Sequence, residues 1–215
     1  MGFTRVKICG IGRAVDRDTA VEAGADALGF IVDVPVDTPR ELAADRAADL
    51  VGGAPPFVTT VLVTMPDSVE TAVSLYRQVG ADSLQIHGTL SPDRLAALGE
   101  RIDGDLIVAV DAAAGDLSAR AAVADLLLVD STDEEGAGGT GETHDWAQTR
   151  AVVEQFETPV ALAGGLTPDN VGKAVDSVGP FAVDTASGVE ATGGTKDHEA
   201  VRRFVERARR PEVSA

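Results

Sequence analysis

The chain contains one cysteine, Cys9, in the run Lys7-Ile8-Cys9-Gly10. A thiol followed by glycine at a strand end can be approached closely, because Gly10 carries no side chain and lets the backbone turn sharply. A free thiol has a pKa of ~8.5, so it needs a neighbouring cation to serve as a thiolate base near neutral pH. Lys7, two residues earlier, lies on the same face of an extended strand. The second chemical candidate is Asp130, which follows Leu126, Leu127, Leu128 and Val129. A carboxylate closing an apolar run costs free energy unless it is hydrogen-bonded or used. Partial burial would keep part of it protonated, as a general acid requires. The bland readings are a small buried hydrophobe for Cys9 and a loop-capping carboxylate for Asp130.

Other residues suggest a bound anion. Gly164-Gly165 and Ser187-Gly188 lie in two small-residue loops, each after an apolar run. Such loops bring backbone N–H groups close to a phosphate. Arg40, in Asp37-Thr38-Pro39-Arg40, carries a guanidinium fork that can hold a carboxylate bidentately. Its alternative is a surface ion pair at a helix start. His87 ends the run Leu84-Gln85-Ile86-His87-Gly88, and Gln85 shares its face. A lone His there is a positioned hydrogen-bonder more often than a proton carrier. The glycine-rich stretch 131–143 reads as a flap, and Trp146 as a packing residue at a helix start. No Cys/His/Asp cluster has zinc spacing, and no Walker loop or dinucleotide fingerprint occurs. Neither a metal nor an organic cofactor is expected.

The elements that must position these residues are short apolar runs at 5–9, 27–31, 57–63, 83–86, 105–110, 125–130, 159–162 and 181–184. Runs this uniformly apolar are typical of strands buried on both faces. Helical spacing fills the gaps. Asp16 or Asp18 is expected to cap the first helix, Pro66-Asp67-Ser68 to open the third, Ser91-Pro92-Asp93 the fourth and Thr167-Pro168-Asp169 the seventh. Val69, Ala72, Val73 and Val79 form the apolar stripe of the third helix. The fifth helix, 116–123, is the shortest, and the last spans 198–209. Eight β/α units in 215 residues, about 27 residues each, predict an α/β chain folded as a single (β/α)8 (TIM) barrel over residues 1–215. In that fold, chemistry collects where the strands end, which places Cys9, Arg40, His87, Asp111, Asp130, Gly164-Gly165 and Ser187-Gly188 at one mouth.

Composition excludes several function classes. With 35 acidic against 18 basic residues the net charge is −17, so no nucleic-acid partner is expected. The acids are scattered over helical stretches, as at Glu41, Asp45 and Asp49. That predicts a solvated acidic surface adapted to high salt, a halophilic trait. No apolar run reaches the ~20 residues that cross a bilayer, and the first residues lack a secretory pattern. A cytoplasmic enzyme, monomeric or homodimeric, acting on a small molecule is expected.

Taken in order, the motifs resemble those of the phosphoribosylanthranilate isomerase family. They are Lys7–Gly10, Gly24–Ile31, Pro39-Arg40, Leu84–Gly88, Asp130, Gly138–Trp146, Leu162–Val171, Val183–Glu190 and Lys196-Asp197. The resemblance implies an Amadori rearrangement in tryptophan biosynthesis, with Asp130 as general acid and Cys9 as general base. It further implies Arg40 on the anthranilate carboxylate and the Gly164-Gly165 and Ser187-Gly188 loops on the phosphate, with Gln85 and His87 also at the substrate. Two stretches depart from the family pattern. Glu142 and His144 stand where Lys and Phe are common, and residues 191–197 read ATGGTKD where a PGKKD-like run is common. Two alternatives remain: the histidine-pathway sugar isomerase, which resembles a two-aspartate scheme that Cys9 disfavours, and a catalytically idle barrel serving as a binding subunit.

Overall fold

The computed structural model describes residues 4–88, 90–130 and 146–209. Eight parallel strands pair in sequence order and close on themselves: β1 (Arg5–Ile8), β2 (Ala27–Ile31), β3 (Thr59–Thr64), β4 (Ser83–Ile86), β5 (Asp105–Val110), β6 (Leu126–Asp130), β7 (Val160–Ala163) and β8 (Ala182–Thr185). The closing seam matches Lys7 with Asp184 and Ile8 with Thr185. Helices α1 (Ala14–Ala23), α2 (Ala44–Gly52), α3 (Val69–Val79), α4 (Pro92–Gly99), α5 (Leu117–Ala121), α6 (Trp146–Gln155), α7 (Val171–Val178) and α8 (His198–Arg209) alternate with the strands. This is the expected (β/α)8 barrel. A turn of 3-10 helix (Ser187–Val189) and a small hairpin, β9 (Glu190–Thr192) with β10 (Thr195–Lys196), precede α8. None of the described helices is long and apolar enough to cross a membrane.

Two apolar layers hold the elements. Between strands and helices, residues such as Val6, Leu28, Phe30, Leu62, Leu84, Leu162 and Phe204 form one continuous core. Inside the barrel, Val61, Ile107, Leu128, Ala161 and Ala182 form a second. Strand alternation produces both, since neighbouring side chains point to opposite faces. Helix α3 follows its sequence signals closely: Ser68 Oγ accepts from the Thr71 N–H at 3.1 Å, and Val69, Ala72, Val73 and Val79 are the buried stripe. Ser91 precedes α4, with Pro92 in its first turn, and Trp146 opens α6 packed on the core.

Several element ends differ from expectation. Strand β3 starts at Thr59, not 57. Phe57 follows Pro55-Pro56 in a left-handed turn (φ 69°) and is fully exposed, because two prolines supply no ladder donors. Asp16 does not cap α1; Arg13 holds that position. Asp16 lies within the first turn, fully buried, bonded by the Nε and Nη2 edge of Arg13 (2.8 and 2.7 Å) and by His198 Nε2 (2.9 Å), which ties α1 to α8. Thr167-Pro168-Asp169 forms a turn ahead of α7, whose N-cap is Asn170.

A repeated device unread in the sequence pins the barrel floor. Asp26, Asp82 and Asp125 each precede an even-numbered strand. Each accepts the N–H of the preceding strand, from Val6, Thr60 and Leu106 respectively, at 2.8 Å. The register of β1–β2, β3–β4 and β5–β6 is fixed at that end, which sets the height of the residues at the other.

Candidate active site

At the upper end of the barrel the inward positions change from aliphatic to polar: Lys7, Gln85, Asp130 and Asp184. Lys7, Gln85 and Asp184 are buried and Asp130 is half-buried. Lys7 Nζ donates to Asp184 Oδ1 at 3.0 Å across the closing seam. Either charge alone would be strongly destabilising there; as a pair they satisfy each other. Three groups feel both charges: Cys9, Asp130 and His87. The thiol and the carboxyl named from the sequence therefore converge on one buried ion pair, although they sit three strands apart around the barrel.

Cys9 follows the last residue of β1, and its N–H still donates to the Thr185 carbonyl at 2.8 Å. Its side chain is more enclosed than a strand-end position suggests, at 6 % exposure. The surroundings of the sulfur are nonetheless charged rather than purely apolar. Burial pushes the thiol above its ordinary pKa; Lys7, which hydrogen-bonds it, and Lys196 pull it back without prevailing. Gly29 on β2 makes the space, since a Cβ there would stand 2.7 Å from Cys9 Sγ and 3.1 Å from Lys7 Nζ. Asp130 is also raised, first by burial, then by Asp184, against the pull of Lys7.

Gln85 Nε2 lies 2.6 Å from His87 Nε2. Burial, and then the Lys7 charge, hold the His87 pKa down to about 4, so its ring is neutral and works as a hydrogen-bonding partner. Gln85 Oε1 is buried and makes no hydrogen bond among the described residues.

The two loops expected to bind an anion are in contact. Gly164 (φ 84°) and Gly165 (φ 61°) both adopt left-handed conformations that other residues reach only with strain. Asn170 staples this loop, accepting from the Thr167 N–H at 2.8 Å and donating to the Gly165 carbonyl at 2.9 Å. Thr185 Oγ1 donates to the Leu166 carbonyl at 2.8 Å, and a Cβ on Gly188 would overlap that same carbonyl. Ser187 opens the 3-10 turn beside it. Arg40 lies beyond β2, not at a helix start. Its Nε and Nη2 donate to the two carboxylate oxygens of Glu190, at 2.8 and 2.7 Å. Asp111 is exposed and accepts the Ala113 N–H at 2.7 Å, a loop-shaping role. The stretch 131–143 read as a flap, which includes Glu142, and His144 lie outside the described residues. Two surface clefts of about 310 and 530 Å3 line the opposite end of the barrel, around Phe181 and Phe57, and touch none of these groups.

Residues 6–207 match the family of N-(5'phosphoribosyl)anthranilate (PRA) isomerase. The chain belongs to this family. An N-(5'-phosphoribosyl)anthranilate isomerase of Haloarcula marismortui is 55% identical over 207 residues, spanning 96% of this chain and 97% of its own. The crystal structure of phosphoribosyl anthranilate isomerase from Thermotoga maritima superposes with a TM-score of 0.85 at 36% identity, covering 95% of this chain and 98% of that one. A crystal structure of the isomerase in complex with reduced 1-(o-carboxyphenylamino)-1-deoxyribulose 5-phosphate matches with a TM-score of 0.80 at 34% identity and the same coverage. Within this PRA isomerase fold, Asp184 and the Glu190–Lys196 pair went unread as site residues. The available signal was a charge at an inward position of an otherwise apolar strand, which Asp184 provides between Ala182 and Ala186.

Proposed function

We propose that this chain is a cytoplasmic N-(5'-phosphoribosyl)anthranilate isomerase of tryptophan biosynthesis. The observation that carries the reading is the convergence of Cys9 and Asp130 on the Lys7–Asp184 pair, beside two loops suited to a phosphate. Asp130 gives its proton to the furanose ring oxygen as the C1–O bond breaks. The nitrogen lone pair moves in to form a C1=N iminium cation. Cys9, as thiolate, removes the C2 proton, and the electrons of that bond flow to C1=C2 and return the nitrogen to neutrality. The enolamine then gains a proton at C1 and gives up its C2 hydroxyl proton, so that the C1=C2 bond is replaced by the C2=O bond of the ketone. The cation acidifies the C2–H, so a base of modest strength suffices.

The phosphate is held by the Gly164-Gly165 and Ser187-Gly188 loops, the anthranilate carboxylate by Arg40, and the substrate's polar edge meets Gln85 and His87. The net charge of −17 supports an acidic surface suited to high salt, where a Debye length of about 3 Å at 1 M removes self-repulsion. The test is fluorimetric: freshly prepared phosphoribosylanthranilate loses its fluorescence signature as it is converted, in molar and in dilute salt. Protein that leaves it unconverted in both would overturn the assignment. In the same assay Arg40→Ala is expected to raise KM about tenfold or more, the worth of a charge-assisted hydrogen bond, with a smaller effect on kcat. An unchanged KM would move the carboxylate site elsewhere.

A further inference from the structure

The guanidinium of Arg40 already holds an internal carboxylate, which raises the question of how it can hold another. Glu190 occupies only one edge of the fork, Nε and one N–H of Nη2. Nη1 makes a long contact of 3.4 Å to Thr38 Oγ1. The end edge, formed by Nη1 and the second N–H of Nη2, retains the geometry for a bidentate carboxylate. Glu190 is itself enclosed, its side chain 5% exposed, and it also accepts Lys196 Nζ at 2.9 Å. Lys196 in turn donates to the Ala186 carbonyl at 2.9 Å. Two cations around one carboxylate leave a local charge of +1, which one substrate carboxylate neutralises.

The backbone is shaped to hold this arrangement. Gly10 has φ 71°, and a Cβ there would stand 2.8 Å from Arg40 Cδ, so the arginine stem lies directly over it. On the other side the β9–β10 hairpin covers Pro39: a Cβ on Gly193 would meet Pro39 Cγ at 2.9 Å, and one on Gly194 would overlap the Pro39 carbonyl. The hairpin thus grips the Pro39-Arg40 segment and carries Glu190 at its root.

We infer that Glu190 is a positioning residue that locks one edge of Arg40, so that the other edge is presented to the carboxylate of the substrate. This rests on the reading that Arg40 binds that carboxylate, and the experiment separates the two. Steady-state constants are measured for Glu190→Gln, Glu190→Asp and Arg40→Ala, on phosphoribosylanthranilate and on its carboxylate-free analogue, N-(5'-phosphoribosyl)aniline. Circular dichroism melts check that each variant is folded. Glu190→Asp keeps the charge but shortens the reach, so it remains informative if the neutral variant does not fold. Both Glu190 variants are expected to raise KM for the natural substrate about tenfold, with kcat within a factor of about three. On the aniline analogue the gap to wild type should shrink to within a factor of about two. A KM near wild type in the Glu190 variants, with Arg40→Ala impaired, overturns the positioning role. Equal losses on both substrates, or losses mainly in kcat, also overturn it, because they indicate a general structural role. An Arg40→Ala enzyme with unchanged KM rejects the carboxylate site itself.

Discussion

Asp130→Asn is expected to lower kcat by about 10²- to 10⁴-fold, the usual worth of a general acid in the transition state. The amide is nearly isosteric, so the barrel should be retained, but it has no proton to give to the ring oxygen. The pH profile provides a second readout. Both proposed proton carriers are raised above their ordinary values, Asp130 from the carboxylate range and Cys9 from the thiol range. The acid therefore has the lower pKa and the base the higher. Between the two, the protein is mostly thiol and carboxylate, and the reactive form, thiolate with carboxylic acid, is a minor fraction. In that window each rise in pH increases thiolate and depletes the carboxylic acid equally, so kcat/KM in the wild type is flat. It falls below the Asp130 pKa, where thiolate continues to vanish, and above the Cys9 pKa, where the acid form continues to vanish. Without the acid only the thiolate fraction matters. The residual kcat/KM of Asp130→Asn should then climb tenfold per pH unit across the former plateau until the thiol titrates. Near-normal turnover, or an unchanged flat profile, would reject Asp130 as the acid.

What the sequence revealed followed a physical divide. Short β-rich apolar runs mark strands buried on both faces, so β2, β4 and β5 fall where expected to the residue. Ends governed by single backbone groups were less legible. Phe57 reads as a strand residue by type, yet the two preceding prolines remove it from the ladder. Asp16 reads as a cap because a carboxylate near a helix start usually is one, but His198, distant in sequence, claims it from α8. The site showed the same split. Cys9 and Asp130 stand out because each is anomalous at a strand end. Lys7 was visible only as a neighbour of Cys9, because its partner Asp184 is 177 residues away and the pairing exists only once the barrel closes. Glu190 was hidden for the same reason: Arg40 reaches it across 150 residues.

Cys9→Ser offers the sharper test of the base. Serine is no larger than cysteine and fits the space that Gly29 leaves, where a Cβ would stand 2.7 Å from the sulfur, so the fold and the Lys7–Asp184 pair should persist. Its hydroxyl ionises far less readily than a thiol, so the basic form is lost while shape is kept. The expected loss in kcat is about 10²- to 10⁴-fold, similar to Cys9→Ala, with KM nearly unaltered. The result decides between two effects that oppose each other at residue 9. Burial and Asp184 favour the neutral thiol, while Lys7 and Lys196 favour thiolate, and in the free protein burial wins. On the proposed mechanism a third charge enters: ring opening would create an iminium cation next to the sulfur, and a cation at that range stabilises thiolate in a poorly solvated site. On that mechanism the base would be made competent by the step assigned to Asp130. If so, C2-deuterated substrate should show a larger isotope effect in Cys9→Ser than in the wild type, since proton removal becomes the slow step. Iodoacetamide should alkylate the free wild-type protein slowly at neutral pH and faster as pH rises through the thiol range. A Cys9→Ser enzyme with wild-type kcat would require a different base, and the charges gathered around this sulfur would then need another explanation.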